Sequence, residues 1–431
     1  MQRVGEIKDP VHGYVYFTEV EKELIDSRPV QRLHRLKQLS GANLTYPGAD
    51  HTRFIHSLGV MHLSGLLATH LQDLGYLTKE EVQKIRIAGL LHDVGHGPFS
   101  HVYEEILDKY RKITHENVAQ WIIKESELGD ILEKDGFSKD EISALAVGRL
   151  EKTSKAFLNL LVAGHFAPDI LDYMIRDSYF AGVEYGRVDA HRLIDSLDLV
   201  DDSLAVEYPG AFYVLESYII ARLQMFNAVY FHRTVRAANV MIARAMDYAN
   251  ERLGLTSFRS AEEFLELDDS KVLLNLLSLK EEKEKKLFVS YDLARKFTER
   301  RLLKSTYELT IHRRDEFFSN LLNRAAIRHQ IETEIGGKAD VDPDYIIIDV
   351  PTVLSVPIHP MEKKPSDILV FMKRPSGKLT QRLTEVSPLL AALTQFVDIV
   401  RVYTLDQYRE KVEKACENIF GERPYSTKVS F

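Results

Sequence analysis

The stretch from Val82 to His101 constrains this chain more than any other. An apolar helical run with Val82, Ile85, Leu90 and Leu91 leads directly into His92-Asp93-Val94-Gly95-His96-Gly97-Pro98-Phe99-Ser100-His101. Gly95, Gly97 and Pro98 cannot continue a helix. The pattern therefore predicts a helix over 79–94 that ends on an imidazole beside a carboxylate. Neighbouring helical side chains diverge by about 100°, so His92 and Asp93 share a ligand only at that end. Buried His and Asp are costly unless paired or bound to a metal. Together they suit a divalent cation such as Mn, Fe, Ni, Mg or Zn.

Three further segments supply partners. Asp50-His51-Thr52-Arg53-Phe54-Ile55-His56-Ser57-Leu58-Gly59 places His56 at the start of a helix, with Arg53 three residues earlier. Thr114-His115-Glu116 offers a His–carboxylate pair. Pro168-Asp169-Ile170-Leu171-Asp172-Tyr173-Met174-Ile175-Arg176-Asp177 repeats acids on an otherwise apolar helix. Taken singly, each has a plain structural explanation; Asp169, for instance, is an early-turn acid favoured by the helix dipole. Taken together, His56, His92, Asp93 and Asp169 supply two imidazoles and two carboxylates, and point to a metal-dependent hydrolase. Ten of the sixteen histidines lie in the first 115 residues, so the chemistry is expected there.

Apolar periodicity predicts helices over 21–39 (interrupted at Pro29), 55–74, 79–94, 116–127, 139–150, 155–165, 168–181 and 213–251. The texture changes after about residue 340. The β-branched runs 345–350, 367–372 and 399–403 read as strands, with helices at about 386–397 and 405–419. The charge run 279–286 reads as a solvated face. The expected fold class is mainly α, with a smaller α+β region at the C-terminus.

Lys plus Arg number 56 against 64 Asp plus Glu, a net charge of −8, which argues against a dedicated nucleic-acid binder. The single Cys416 excludes an intrachain disulfide and a Cys-rich zinc site, and fits a reducing cytoplasm. The N-terminus is polar, so no signal peptide is expected. No apolar run approaches the roughly 20 residues of a membrane span. A cytoplasmic protein without membrane partners is the expectation.

At this level of detail the chain resembles the HD-domain phosphohydrolases, and within them the deoxynucleotide triphosphohydrolases. The matching stretches are Asp9-Pro10-Val11-His12-Gly13, Gln31-Arg32-Leu33, Lys37-Gln38-Leu39, Tyr46-Pro47-Gly48-Ala49, Arg53 to Val60, Ala88 to His101, Thr114-His115-Glu116 and Asp172-Tyr173. The resemblance starts within the first ten residues, so no sterile-α-motif domain is expected ahead of it. It implies an HD helical bundle over 1–200 and a helical extension over 201–335 that completes the nucleotide pocket and oligomer contacts. The small α+β region would then span 336–431.

The resemblance implies one divalent metal ion per subunit, held by His56, His92, Asp93 and Asp169. His96, His101 and His115 would face the α-phosphate, with Glu104 and Glu116 tuning His115 and Arg53 holding phosphate oxygens. Gln38 and Asp177 would contact the sugar 3′-hydroxyl, with Leu39 near the 2′ carbon. Tyr173 and Tyr230 would flank sugar and base, and Arg222 would reach the phosphates or the base side. The implied reaction releases a deoxynucleoside and inorganic triphosphate. A nucleotide activator site around Asp26, Gln31, His34 and Arg35, and a homo-oligomer (dimer or tetramer), are implied in the same way.

The chain departs from that pattern in places. Ile170 stands where a phosphate-binding Lys is expected, and Phe226 and Asn227 where basic residues are. At the activator positions, His34 replaces an Arg and Gly5 a Lys. The losses at Ile170 and Phe226 favour the alternative of a phosphohydrolase for another nucleotide or phosphoester (a monophosphate or alarmone), and those at His34 and Gly5 bear on the activator site. The remaining alternative, a nucleotide-sensing protein without catalysis, is opposed by the complete ligand set and His115.

Overall fold

The computed structural model describes residues 2–151, 153–312, 322, 324–351, 368–389 and 397–421. The chain divides into two compact units. The first gathers Met1–Val229, Gly254–Val272 and Pro357–Thr394. The second gathers Tyr230–Leu253, Leu273–Val356 and Gln395–Phe431. The segments 201–335 and 336–431, expected as successive regions, each contribute to both units.

Among the described residues the strands are β1 (Gly5–Asp9), β2 (Gly13–Phe17), β3 (Leu197–Val200), β4 (Ser203–Glu207), β5 (Lys304–His312), β6 (Ile347–Asp349), β7 (Leu369–Arg374), β8 (Gly377–Arg382) and β9 (Val397–Thr404). β1 and β2 form an antiparallel hairpin. β3-β4-β7-β8 form a second sheet, in which β4 and β7 run parallel. The order β5-β9-β6 makes an antiparallel third. β1–β5 fall outside the helices that the periodicity predicts, in a chain that is mainly helical as expected. They are short or alternate polar with apolar residues, and their partners are set by tertiary pairing.

The helical frame of the first unit follows the expectation closely. It comprises α1 (Glu19–Asp26), α2 (Arg28–Arg32), α3 (Arg53–Asp73), α4 (Lys79–Leu91), α5 (His101–Arg111), α6 (His115–Glu125), α7 (Glu127–Lys134), α8 (Lys139–Ala146), α9 (Leu160–Ala163), α10 (Pro168–Ala181), α11 (Ala190–Asp195) and α12 (Phe212–Met225). The predicted helix over 21–39 is broken instead. α1 stops at Asp26, Pro29 starts the short α2, and a 3-10 turn at Leu33–Arg35 leads into extended chain. Proline near a helix start is compatible with a new helix but not with a continuing one.

α4 starts at a reciprocal cap, in which the Glu81 amide donates to Thr78 Oγ1 and the Thr78 amide to Glu81 Oε2. It packs along α3, which also packs against α10. Leu58, Met61, Leu67, Ile85, Leu90, Leu91, Leu171 and Met174 are buried in this unit.

The second unit has its own core, with Tyr307, Ile335, Ile346, Ile348, Val400, Val402, Val412 and Cys416 buried together. Helix Arg233–Leu253 packs on helix Lys285–Thr298. Two buried pairs fix it: Arg236 on Asp349 at 2.6 and 3.0 Å, and Arg244 on Glu332 at 2.8 and 2.9 Å. The expected helix over 386–397 lies largely outside the described residues. Among the described residues no helix is long and apolar enough to cross a membrane.

Candidate metal centre

Three helices of the first unit bring His56, His92, Asp93 and Asp169 together. His56 lies in the first turn of α3, which begins after the extended Thr52. His92 caps the C-terminal end of α4, and Asp93 follows. Asp169 is the second residue of α10, which opens on Pro168. Ligand atoms of His56, His92 and Asp93 lie within 4.8 Å of one another. Asp169 Oδ1 is 3.1 Å from His56 Nε2 and 3.8 Å from His92 Nε2.

The donor set fits a divalent cation. His56 Nε2 and His92 Nε2 are buried and, among the described residues, neither has a hydrogen-bond partner. Their other ring nitrogens are committed: His92 Nδ1 to the Gly89 carbonyl at 2.8 Å, His56 Nδ1 to Asp172 Oδ2 at 2.8 Å. Such outer contacts fix the tautomer so that the inner nitrogen presents a lone pair. Burial works against charge on His56, yet Asp169 and Asp172 push its pKa up to about 10. The pocket thus favours positive charge at Nε2, whether a proton or a metal ion.

Asp172 was not among the expected site residues. It is fully buried and accepts from His12 Nε2 at 2.6 Å, from Arg176 Nε at 2.7 Å and from Arg176 Nη2 at 2.9 Å. Burial alone would raise its pKa, but the Arg176 charge and these bonds hold it well below the carboxylate range. Arg176 in turn holds Asp9 at 2.8 Å, so the β1–β2 hairpin is tied to the same network. Gly59 makes the approach possible, because a Cβ there would lie 1.9 Å from Asp172 Oδ1. Asp172→Asn is expected to weaken metal binding about 10- to 100-fold. Competition against a metal-binding dye checks this.

A second cluster adjoins the first, with His96 Nε2 3.3 Å from Asp93 Oδ1. His96, His101 and His115 also bring ring nitrogens within 4.8 Å. The His96 and His115 rings are stacked at 4.0 Å and 18°, so their in-plane lone pairs lie in separate, nearly parallel planes. The His56 and His92 rings stand at 72°. The second cluster suits proton transfer and anion contact better than chelation.

Glu104 organises that cluster, accepting from His115 Nδ1 at 2.6 Å and from His101 Nδ1 at 3.2 Å. Burial opposes charge on His115, but Glu104 overrides it and raises the pKa. Burial, then Arg53 and His115, hold His96 well below its ordinary value. The stacked pair thus favours the proton on His115 over His96. Thr114 caps α6, so His115 begins it. Gly95 lets that helix start close to the turn after His92, since a Cβ would meet the His115 carbonyl at 2.1 Å. Of the two acids expected beside His115, Glu104 makes the bond, whereas Glu116 pairs with Arg149.

Arg53 Nη1 donates to Asp93 Oδ2 at 2.5 Å and Arg53 Nε to Ser100 Oγ at 2.7 Å. Asp177 accepts from His51 Nε2 at 2.7 Å. Gln38 and Leu39 lie in the turn that follows Lys37, with the Gln38 amide donating to the His51 carbonyl at 3.0 Å. Gln38 Oε1 is buried with no hydrogen-bond partner among the described residues. Tyr173 is buried on α10, close enough to Arg222 of α12 for the two to interact electrostatically. Ile170 and Phe226 are buried. Tyr230 ends the π-helical turn Phe226–Tyr230 and opens the second unit. Among the activator positions, Arg35 Nε donates to Asp268 at 2.8 Å, Gln31 Nε2 to the Ile25 carbonyl at 2.9 Å, and His34 stacks on Phe54. Asp26 is exposed.

Comparison with known proteins agrees with this geometry. Residues 53–171 match the HD domain family and residues 188–430 match the HD associated region. An uncharacterised protein of Methanocaldococcus jannaschii is 37% identical over 243 residues, covering 56% of this chain and 49% of that protein. The deoxynucleoside triphosphate triphosphohydrolase SAMHD1 homolog of Dictyostelium discoideum is 30% identical over 322 residues, covering 71% of this chain and 60% of that protein. The match thus spans about half to three-fifths of these relatives' own lengths. A phosphohydrolase from Bacteroides thetaiotaomicron has a similar structure, with a TM-score of 0.72, 25% identity, and coverage of 94% of this chain and 100% of that one. With the His-Asp cluster at the junction of α3, α4 and α10, these matches show that the chain belongs to the HD-domain phosphohydrolases.

Proposed function

We propose that the site hydrolyses deoxynucleoside triphosphates at the α-phosphorus, yielding deoxynucleoside and inorganic triphosphate. The observation that carries this reading is the His115–Glu104 pair, which adjoins the cation cluster through the stacked His96. His56, His92, Asp93 and Asp169 would hold the divalent ion. When bound, that ion polarises a phosphoryl oxygen and lowers the pKa of water.

The protein's own groups supply the rest. Water adds its oxygen to the α-phosphorus as the bond from phosphorus to the 5′ oxygen breaks. His115, its Nδ1 held by Glu104, presents Nε2–H and protonates the leaving 5′ oxygen. His101 and Arg53 balance phosphate charge. Gln38, Leu39, Tyr173 and Asp177 would form the sugar side, and Arg222 would complete it within the first unit. Support for a deoxynucleotide comes from the Dictyostelium relative's name, and support for a sugar hydroxyl at this place from the unpartnered Gln38 Oε1. Gln38→Ala should lower the deoxy-over-ribo preference about tenfold. Competition between dATP and ATP in one reaction reads that ratio directly.

Buried Ile170 and Phe226 make the surroundings less cationic, and this favours a second reading: a phosphohydrolase for nucleotides carrying fewer phosphates. Product analysis separates the two. Metal-loaded protein is incubated with each dNTP, with and without GTP, and His92→Ala protein is the blank. Deoxynucleoside plus triphosphate supports the first reading. Turnover confined to monophosphates or alarmones supports the second. A GTP-dependent rate, with mass measured in parallel, tests the activator positions Asp26, Gln31, His34 and Arg35 and the homo-oligomer.

A further inference from the structure

Two backbone segments of the site are held by one acid outside it. Leu36–Gln38 lies against His51–Arg53: Lys37 forms an isolated bridge with Thr52, the Arg53 amide donates to the Leu36 carbonyl at 2.9 Å and the Gln38 amide to the His51 carbonyl at 3.0 Å. The turn Gly97–Ser100 launches α5 and therefore His101. Phe99 and Ser100 both have positive φ there, 57° and 55°, a region that L-residues occupy only when the surroundings enforce it.

Asp269 supplies part of that enforcement. Its Oδ1 accepts the Phe99 amide at 2.7 Å and its Oδ2 the Lys37 amide at 2.9 Å. The side chain is buried, whereas a surface acid would serve if the need were only to cap a helix. Burial pushes its carboxyl up to about 6, against the pull of the two amides, Lys37 and Arg32. Ser100 Oγ donates to the Lys37 carbonyl at 2.9 Å, and Arg32 Nη1 donates to the His96 carbonyl at 2.9 Å. The segment and the turn are thus locked to each other and to the residue after Asp268.

We propose that Asp269 is a positioning residue for the candidate site: one carboxylate sets the register between the segment Leu36–Gln38 and the turn Gly97–Ser100 that leads into His101. The kinetic part of this inference rests on the nucleotide reading above; the structural part does not. Asp269→Asn keeps the side-chain shape but leaves an acceptor for only one of the two amides.

The test uses the full-length, metal-loaded protein. Amide hydrogen exchange at Lys37 and Phe99 is expected to quicken about tenfold or more in Asp269→Asn, the scale of one lost charge-assisted hydrogen bond. The dATP-over-ATP ratio of kcat/KM is expected to fall several-fold, with bound metal per chain unchanged. A partly unfolded population cannot change that ratio, so a merely structural role would leave it intact. Should Asp269→Asn show no cooperative melt, Asp269→Ser, which also keeps one acceptor, is measured in its place. Unchanged exchange, or quicker exchange with an unchanged ratio, overturns the proposal. Wild-type protein that hydrolyses no dNTP rejects the nucleotide reading, and exchange then decides the clip by itself.

Discussion

His92→Ala protein is expected to lose bound metal and activity together while retaining its melting transition. His92 Nε2 is buried with no hydrogen-bond partner among the described residues, and its Nδ1 is already spent on the Gly89 carbonyl. Removing the ring deletes a donor that nothing nearby replaces. The loss of affinity should exceed the roughly 10- to 100-fold cost of losing an outer partner such as Asp172. Metal content by mass spectrometry after gel filtration, read beside turnover, checks it. Retained stoichiometric metal would remove His92 from the cation cluster.

His115→Ala is expected to separate the two properties. The metal should remain, because His115 lies in the stacked second cluster, while the rate falls about 10²- to 10⁴-fold as the proton donor is lost. The pH profile makes the assignment specific. Glu104 raises the His115 pKa, so the protonated, active form persists below that raised value and disappears as pH rises through it. Wild-type activity should therefore decline on the alkaline side, and the alanine variant should lack that limb. A full rate in His115→Ala would end the acid role.

The parts that were legible in the sequence are those written in side chains. α3, α4, α6 and α10 follow apolar periodicity, and Gly95-His96-Gly97-Pro98 ends the helical run where His92 and Asp93 must point inward. The convergence of His56, His92, Asp93 and Asp169 could be expected from residue type and order. Asp172 was harder, because α10 carries three other charged residues on similar spacing. Only the fold shows that Asp172 meets Nδ1 of His56 while Asp169 meets Nε2. Asp269 left no signal at all, since it reads two backbone amides, which have no sequence signature. The pairings of β4 with β7 and of β5 with β9 were hidden for a related reason: each joins segments far apart in the chain, and local propensity carries no information about the partner.

The parallel pairing of β4 with β7 has a consequence for synthesis. A nascent chain that has already displayed every cation-cluster residue still holds β4 with one edge open, and that edge is covered only when residues 369–374 emerge. Closing such a distant contact is slow, and an open strand edge invites association with other chains. The ribosome therefore releases a protein whose chemistry is assembled early and whose protection against self-association arrives late, so truncations upstream of β7 should precipitate even with the whole cation cluster present.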